Sequence, residues 1–415
     1  MRKITRTLAT AVATAALAAP LSLSAAGTAL AAGPPAFASP AARAAPAAGA
    51  AAPGGPAGSP ATKAGVRLEL PRPTGALPVG RDTLHLVDSA RKDPWVPQAD
   101  RELLLSLYYP AVPRSGTPAP YMTLPEATAL IQAWPVSELV TAEEAAATRT
   151  AAREGARPLP GRFPLVVLSP GFGMPRTTLT ALAEDLAARG HVVAAVDHAY
   201  ESIATTYPGG RLLTCAACEQ ADAPEDFRKV SDGRAEDVSF VLDRLTGPRA
   251  TWRYAQLIDA RRIGMAGHSI GGASAAATMA ADRRVDAGVN MDGTFFTPLP
   301  EGGLDGRPFL MLGADPALRP PGPPDTSWDE TYQRLDGFKR WLEVKGTGHF
   351  AFTDTPVLGD QIGYSDPGSP LSGTRSLRIT RAYVGAFFDQ QLRGIPQPLL
   401  NGPSAAHPEV VFRRP

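Results

Sequence analysis

The sequence carries almost no net charge and lacks any long run of Lys or Arg. Its 41 Lys and Arg residues nearly balance 40 Asp and Glu residues, which leaves a formal charge of +1 over 415 residues. Proteins that bind nucleic acid or anionic membranes through phosphate groups need clustered basic side chains. We therefore expect no nucleic-acid partner.

Cysteine is equally scarce, with only Cys215 and Cys218 in "LLTCAACEQ". A structural zinc site needs four ligands. A thioredoxin-like redox pair needs a helix that begins after a strand, whereas "PGGRLLT" is typical of a turn and a strand. Both alternatives are weaker than a local disulfide between Cys215 and Cys218 formed in an oxidising compartment. We expect no metal ion and no organic cofactor.

Long apolar runs are missing except at the N terminus. There, "MRKITRTLATAVATAALAAPLSLSAAGTALAAG" has a basic start, an apolar middle and the small-residue site Ala29-Leu30-Ala31, which is typical of a secretory signal peptide. An N-terminal helix or membrane anchor is the alternative, but Pro20 interrupts the apolar stretch well short of a spanning length. The sequence predicts a signal peptide over residues 1–31 and a secreted, extracellular protein.

Large apolar residues are nearly absent from residues 32–64, which consist mostly of Ala, Pro and Gly and predict a disordered linker. From residue 65 the segments "VRLEL", "DTLHLVD" and "ELLLSLYYP" predict strands and an antiparallel entry into a sheet. Buried strands then alternate with amphipathic helices. This alternation indicates one α/β domain over residues 65–415, with a mostly parallel sheet covered by helices on both faces.

Residues 119–157 interrupt this alternation as a helical insertion. Its apolar side chains either form a cap over a substrate or simply pack on the body of the domain. Both interpretations stay open on the sequence. The side chains concerned are Leu130, Ile131, Trp134, Val136, Leu139 and Val140.

The segment "GMAGHSIGGASAA" places Ser269 in a G-x-S-x-G motif, a weak signal by itself. The strand that reaches Ala266 and the Ala-rich helix that follows give it the strand, sharp turn and helix that expose a nucleophilic serine. Gly267 and Gly271 are needed where neighbouring backbones come too close for side chains. We therefore predict that Ser269 is a nucleophile.

A serine hydroxyl needs a general base, and two of the six histidines remain after inspection of their positions. His349 lies in the glycine-flexible loop "VKGTGHFAF" after a late strand and is preferred to His198. The carboxylate that orients the imidazole should also follow a strand, and both Asp292 and Asp315 fit. The spacing alone does not choose between them. The histidines set aside lie in or before early strands, beside the serine and in the C-terminal tail: His85, His191, His268 and His407.

An ester-cleaving serine also needs two backbone N–H groups that stabilise the oxyanion. One should come from Ile270, directly after the serine, and one from the loop "LSPGFGMPRTT" after the first parallel strand. Phe172 is the expected donor in that loop, because Gly171 and Gly173 let the backbone turn inward.

Several of these segments resemble the secreted, serine-dependent platelet-activating factor acetylhydrolases and their bacterial relatives. The resemblance covers most of residues 93–394 and rests on "DPWVPQADRELLLSLYYP", "PLVVLSPGFG", "VDHAYES", "DARRIGMAGHSIGG" and "NMDG". It implies an α/β-hydrolase fold and a carboxylic ester hydrolase similar to 1-alkyl-2-acetylglycerophosphocholine esterases. It also makes Asp292 the acid in preference to Asp315.

The sequence departs from this family in ways that bear on the substrate. The oxyanion loop reads Ser169-Pro170-Gly171 where vertebrate members have a Ser-His-Gly pattern, and their lipid-docking helices match nothing here. A triacylglycerol lipase or a cutinase-like polyester hydrolase is the nearest alternative, and a non-catalytic lipid-binding protein is the alternative from another class. The expected substrate is a small-molecule ester or lipid. Transient contact of the enzyme with a lipid surface and the oligomeric state both stay open.

The acyl side of the expected site is rich in aromatic residues. Phe172 lies beside the oxyanion, and Phe350 and Phe352 directly follow the base. Crowding by these rings predicts a preference for acyl groups of two to four carbons over sixteen.

Overall fold

The computed structural model describes residues 65–319 and 325–413. The expected signal peptide (residues 1–31) and linker (residues 32–64) lie outside the described residues. In the described part of the chain, no helix is both long enough and apolar enough to cross a membrane.

An eleven-stranded sheet forms the centre of the domain, in the order β13-β12-β11-β10-β9-β5-β6-β2-β1-β4-β3, and β7 pairs with β8 in a separate hairpin. Six neighbouring strands of this sheet, from β12 to β6 in the order given, run parallel. At one end of this parallel set β13 runs antiparallel to β12. At the other end β2 runs antiparallel to β6, and β1 runs antiparallel to β2. The strands are β1 (Val79–Lys92), β2 (Asp100–Pro110), β3 (Thr117–Pro118), β4 (Arg153–Glu154), β5 (Phe163–Ser169), β6 (Val192–His198), β7 (Thr205–Tyr207), β8 (Arg211–Leu213), β9 (Ile258–His268), β10 (Ala287–Met291), β11 (Phe309–Ala314), β12 (Lys339–Val344) and β13 (Val410–Phe412).

Helices cover both faces of this sheet. The helices are α1 (Leu124–Ala133), α2 (Ala142–Ala146), α3 (Thr180–Ala188), α4 (Pro224–Thr246), α5 (Ile270–Ala281), α6 (Ser327–Arg334), α7 (Thr355–Ile362) and α8 (Gly373–Arg393). Val166 and Leu168 of β5 pack in a core with α3 and α8, whereas Leu165 and Val167 pack in a second core with α4 and α5. Alternate side chains of a strand point to opposite faces, so one buried run supplies both cores. The predicted α/β class and the α/β-hydrolase fold are confirmed.

The first predicted strand is wrong. Residues 66–70 form no strand, and Glu69 makes only an isolated bridge to Arg149. Leu68 and Leu70 turn instead into a small apolar cluster with the insertion and α7. Pro71 follows at once and has no N–H for a sheet ladder. The structure also adds the short elements α6, α7 and β13, which the sequence pattern did not predict.

The insertion begins and ends at the edge of the sheet, where β3 pairs with β4. A capping box begins each of its helices, formed by Thr123 with Glu126 and by Thr141 with Glu144. Of its six apolar side chains, Val136 and Val140 are buried in the cluster with α7, and Leu139 is exposed. A role as a substrate cap stays a prediction.

Candidate active site

Ser269 lies at a sharp turn between β9 and α5, with φ 55° and ψ −127°. L-residues rarely adopt this conformation, and its strain is held by close packing of the surrounding glycines. A Cβ atom on Gly267 would lie 2.1 Å from the carbonyl carbon of Gly271. One on Gly271 would lie 2.1 Å from the carbonyl oxygen of Ser169. The predicted need for glycine at both positions therefore has a direct steric cause.

The structure brings Ser269, His349 and Asp292 together. The Oγ atom of Ser269 lies 3.0 Å from His349 Nε2, and His349 Nδ1 lies 2.7 Å from Asp292 Oδ2. Ser269 follows β9, Asp292 follows β10 and His349 lies in the loop after β12. Because these strands are parallel, their carboxyl ends meet at one edge of the sheet. The arrangement can move a proton from the serine hydroxyl to an imidazole that a carboxylate orients.

The Asp292 carboxylate is buried but ionised. Burial raises the pKa of Asp292, but the hydrogen bond and charge of His349 and the charge of Arg319 outweigh it, so that the pKa lies below its ordinary value. The Ala314 N–H also donates to Asp292 Oδ1 at 2.9 Å. The carboxylate is therefore available to accept the Nδ1–H of His349.

The turn that carries Asp292 depends on residues that the sequence reasoning missed. Asp292 itself has φ 57°. The fully buried Asn290 side chain accepts the Gly293 N–H and donates to the Gly293 carbonyl, both at 2.8 Å. Trp328 Nε1 donates to the same carbonyl at 2.9 Å. An Asn two residues before the acid was the only available signal for this support.

Asp315, the alternative acid, has other partners. Its carboxylate accepts the Ala317 N–H at 3.1 Å and the Gly346 N–H at 2.9 Å, and it lies 3.3 Å from Lys345 Nζ. It therefore caps the turn after β11 and anchors the loop that leads to His349. The structure pairs His349 with Asp292 instead.

The predicted oxyanion loop lies against Ser269. A Cβ atom on Gly171 would lie 3.4 Å from Ser269 Cβ and 2.9 Å from His268 Nδ1, and Gly173 has φ 74°. Within the described residues, neither the Phe172 N–H nor the Ile270 N–H donates to a protein acceptor. Ile270 begins α5, so its N–H is one of the unsatisfied donors at a helix N terminus. Both groups are free to bind an oxyanion.

His268, which the sequence reasoning set aside, supports His349. Its Nε2 atom lies 2.8 Å from the His349 carbonyl oxygen, and the two rings lie 4.7 Å apart. Burial lowers the pKa of His268 to about 3, and the charge of His349 adds to this effect. His268 is therefore neutral, and its Nε2–H donates to the His349 carbonyl. In the sequence, the only indication of this role was the position of His268 next to Ser269.

The remaining candidate residues lie near the predicted oxyanion loop but outside the Ser269 site. His198, the alternative base, is buried and contacts Ser169 and Asp237. Cys215 and Cys218 form a disulfide, and the Cys218 sulfur would lie 3.6 Å from a Cβ atom on Gly173. Among the described residues, no group of three or more His, Cys, Asp or Glu side chains is placed to hold a metal ion.

Comparison with known proteins relates this chain to a family of esterases. A family model described as "Platelet-activating factor acetylhydrolase, isoform II" matches residues 63–237. The "Probable 1-alkyl-2-acetylglycerophosphocholine esterase" of Arthroderma benhamiae is 28% identical over 83% of this chain and 93% of the relative. The platelet-activating factor acetylhydrolase of Cavia porcellus is 24% identical over 54% of this chain and 58% of the relative. These matches support a place for the chain in the platelet-activating factor acetylhydrolase isoform II family.

A solved structure gives a closer match within the same fold. The ferulic acid esterase from Streptomyces cinnamoneus is 46% identical, with a TM-score of 0.74, and the match covers 84% of this chain and 99% of that one. The family model ends before Ser269, whereas this match spans most of the domain. Together the comparisons make the chain a carboxylic ester hydrolase.

The structure corrects one residue of the predicted acyl side. Phe352 is buried in the core that holds α3 and α8 and does not line the site. Phe350 lies with its ring 5.5 Å from the His349 ring and 4.9 Å from the Trp134 ring. Phe172 is partly exposed and contacts Phe227, at 5.4 Å between ring centres. The two phenylalanines that follow His349 thus have different roles, since Phe352 packs in the core and Phe350 lies beside the His349 ring.

Proposed function

We propose that this protein is a secreted serine esterase that acts through an acyl-enzyme on Ser269. The observation that carries the proposal is the hydrogen-bonded series Ser269, His349 and Asp292 beside two free backbone N–H groups. A domain that only binds lipid has no use for a strained serine in contact with a base.

Each group has a role in a two-step reaction. His349 Nε2 takes the hydroxyl proton as Ser269 Oγ attacks the ester carbonyl, and the Phe172 and Ile270 N–H groups stabilise the resulting oxyanion. His349 then protonates the leaving alcohol as the acyl-enzyme forms. In the second step His349 accepts a proton from water as the water oxygen attacks the acyl carbonyl, and it then returns the proton to Ser269 Oγ as the bond to the acyl group breaks and the acid is released. The ionised Asp292 stabilises the imidazolium in both steps.

An apolar cavity that reaches Phe350, the residue after His349, supports a compact acyl or alcohol group in the substrate. It has a volume of about 260 Å³ and lies between the insertion, Phe350 and the α7 region. Aromatic walls come from Tyr121, Trp134, Phe350 and Tyr364, and the charged residues that line it among those the structure describes are Asp360 and Asp366, with no Lys or Arg. An apolar cavity of about 150 Å³ holds benzene, so this one has room for a substituted aromatic ring. The absence of basic lining residues disfavours an anionic group there.

The first substrate candidate is an ester of a phenolic cinnamic acid such as ferulic acid. The 46% identity to a ferulic acid esterase over nearly its whole length and the aromatic cavity walls support it. The second candidate is a phospholipid with a short acyl group, which the printed names of the family relatives support. Both substrates carry an acyl group much shorter than a palmitoyl chain.

A panel of esters tests this preference. We expect kcat/KM for p-nitrophenyl esters to peak from acetate to butyrate and to fall toward palmitate, with hydrolysis of methyl ferulate and of a short-acyl phospholipid. Each buried methylene contributes only ~0.8 kcal/mol, whereas forcing one into filled space costs ~1 to 3 kcal/mol. A rate that climbs steadily to palmitate would instead favour the lipase or polyester-hydrolase alternative.

The cavity wall gives a sharper test of the aromatic substrate. Trp134→Ala should lower kcat/KM for methyl ferulate about tenfold and leave p-nitrophenyl acetate unchanged, because an aromatic contact contributes ~0.5–1.5 kcal/mol beyond its buried area. Leu139→Ala in the same insertion is the matched control, since Leu139 is 40% exposed and does not line the cavity. Equal losses with both esters would argue against an aromatic group in the cavity.

Secretion is part of the same proposal. The N-terminal signal pattern and the disulfide between Cys215 and Cys218 support an oxidising, extracellular location. The measurement is the distribution of activity between medium and cells, for the full chain and for a chain that lacks residues 1–31. Activity that stays with the cells in both cases would contradict secretion.

A further inference from the structure

A second Ser-His-Asp series lies beneath the oxyanion loop. Ser169 ends β5, His198 ends β6 and Asp237 lies in α4. Ser169 Oγ lies 3.0 Å from His198 Nε2, and His198 Nδ1 lies 2.7 Å from Asp237 Oδ2. These distances equal those of the Ser269 series. We call Ser169, His198 and Asp237 the buried relay.

Charges around the relay fix the direction of its hydrogen bonds. Although burial opposes ionisation, Arg101 and His198 hold the pKa of Asp237 far below its ordinary value. Burial, together with the charge of Arg234, lowers the pKa of His198. A neutral imidazole beside a carboxylate donates Nδ1–H to it, which leaves Nε2 to accept the Ser169 hydroxyl proton.

The relay cannot serve as a second reaction centre. Ser169 is 0% exposed, against 8% for Ser269. Its Oγ atom already accepts a hydrogen bond from Arg234 Nη1 at 3.2 Å. No ester carbonyl could reach Ser169 without displacing that guanidinium. The role of the buried relay must therefore lie in the residues that Ser169 contacts.

Those contacts lead directly to the oxyanion loop. Arg234 Nη1 also donates to the Pro170 carbonyl at 2.5 Å, and Arg234 Nε donates to Glu201 Oε2 at 2.7 Å. The Glu201 carbonyl in turn accepts the Gly173 N–H at 3.0 Å. The loop is thus held on both sides of Phe172, at Pro170 and at Gly173, by one buried network.

A set of buried ion pairs makes this network rigid. Arg101 donates to Asp237, Asp93 and Glu201, each within 2.6–2.7 Å. Arg101 and Arg234 are each 1% exposed. A buried, fully paired network has few alternative arrangements, since leaving one charge unpaired costs several kcal/mol.

We propose that Ser169, His198 and Asp237 are positioning residues that fix the oxyanion loop and hold the Phe172 N–H toward the oxyanion. They act through Arg234 and the Pro170 carbonyl and do not touch the substrate. The inference rests on the proposed function, because it assigns Phe172 as an oxyanion donor.

Ser169→Ala tests the proposal with a small change in volume. We expect kcat to fall about 10- to 100-fold with KM within about threefold, because misplacing one oxyanion donor acts mainly on the transition state. The specific readout is the ratio of kcat/KM between an ester and its thionoester. Sulfur is a weak hydrogen-bond acceptor, so the ester should lose more than the thionoester and the ratio should shrink.

His191→Gln is the matched control. His191 is also 0% exposed and precedes the start of β6, with Nδ1 3.1 Å from the Leu186 carbonyl oxygen, at the end opposite His198. It should leave both kcat and the ester ratio unchanged, whatever its effect on the melting temperature. If Ser169→Ala does not fold, Ser169→Cys replaces it, and the weaker thiol donor should give a loss in the same direction.

Two results would overturn the proposal. One is an unchanged kcat in a folded Ser169 variant, and the other is a loss of kcat with an unchanged ester ratio, which indicates general destabilisation. A fluorophosphonate probe separates this failure from failure of the proposed function. Labelling that persists in Ser269→Ala contradicts the nucleophile, whereas labelling that disappears in Ser269→Ala leaves the nucleophile intact whatever Ser169→Ala shows.

Discussion

Ser269→Ala should lower kcat/KM for p-nitrophenyl acetate about 10⁴- to 10⁶-fold while the melting temperature stays close to that of the unmodified protein. Removal of the nucleophile abolishes the acyl-enzyme route, and losses of this size are typical of serines that act with a base and an acid. The structure indicates little cost in stability, because the Ser269 backbone carries the turn. Its N–H donates to the Met291 carbonyl at 2.8 Å, independently of the side chain.

The same variant separates an enzyme from a binding protein. A fluorophosphonate should label the unmodified protein at Ser269 and should not label Ser269→Ala. Ser274, which is 0% exposed and donates to the Ile270 carbonyl, provides the matched Ser→Ala control in α5, the helix that follows Ser269. Folded protein that resists the probe, or equal turnover by both forms, would favour the non-catalytic alternative.

The edge of the sheet explains why the candidate site could be predicted from short segments. Ser269, Asp292 and His349 each follow a strand of the parallel sheet, and such strands end together at one edge. The strand patterns and the glycines around Ser269 are local signals, each within about ten residues. Assembly of the three side chains follows from the fold, so no long-range information was needed beyond the class of sheet.

The support around the site could not be predicted, because its residues come from distant parts of the chain. Arg101, Ser169, His198 and Asp237 meet only through the pairing of β6 with both β2 and β5 and the packing of α4. Their sequence neighbours show no periodicity that marks a buried ion pair. Spacing alone did not choose between Asp292 and Asp315 for a similar reason, since the two residues follow adjacent strands and differ only in the turn after each strand, and only the family resemblance favoured Asp292.

That difference leads to the second large expected effect. Asp292→Asn should lower kcat about 10⁴-fold, because an amide favours the wrong imidazole tautomer of His349 and cannot stabilise the imidazolium. Asp315→Asn is the matched control. It should change kcat less than about threefold, with a small loss of stability from the weakened turn and loop anchor.

The reverse ranking would move the acid to β11, and it would require His349 to leave a 2.7 Å contact that the structure shows with Asp292. Equal, moderate effects would instead mean that either carboxylate reaches the imidazole in turn. The position of Asp292 argues against such exchange. Its left-handed turn is held by Asn290 and Trp328 through Gly293, and its Oδ1 by the Ala314 N–H, so the carboxylate has one favoured orientation, toward His349.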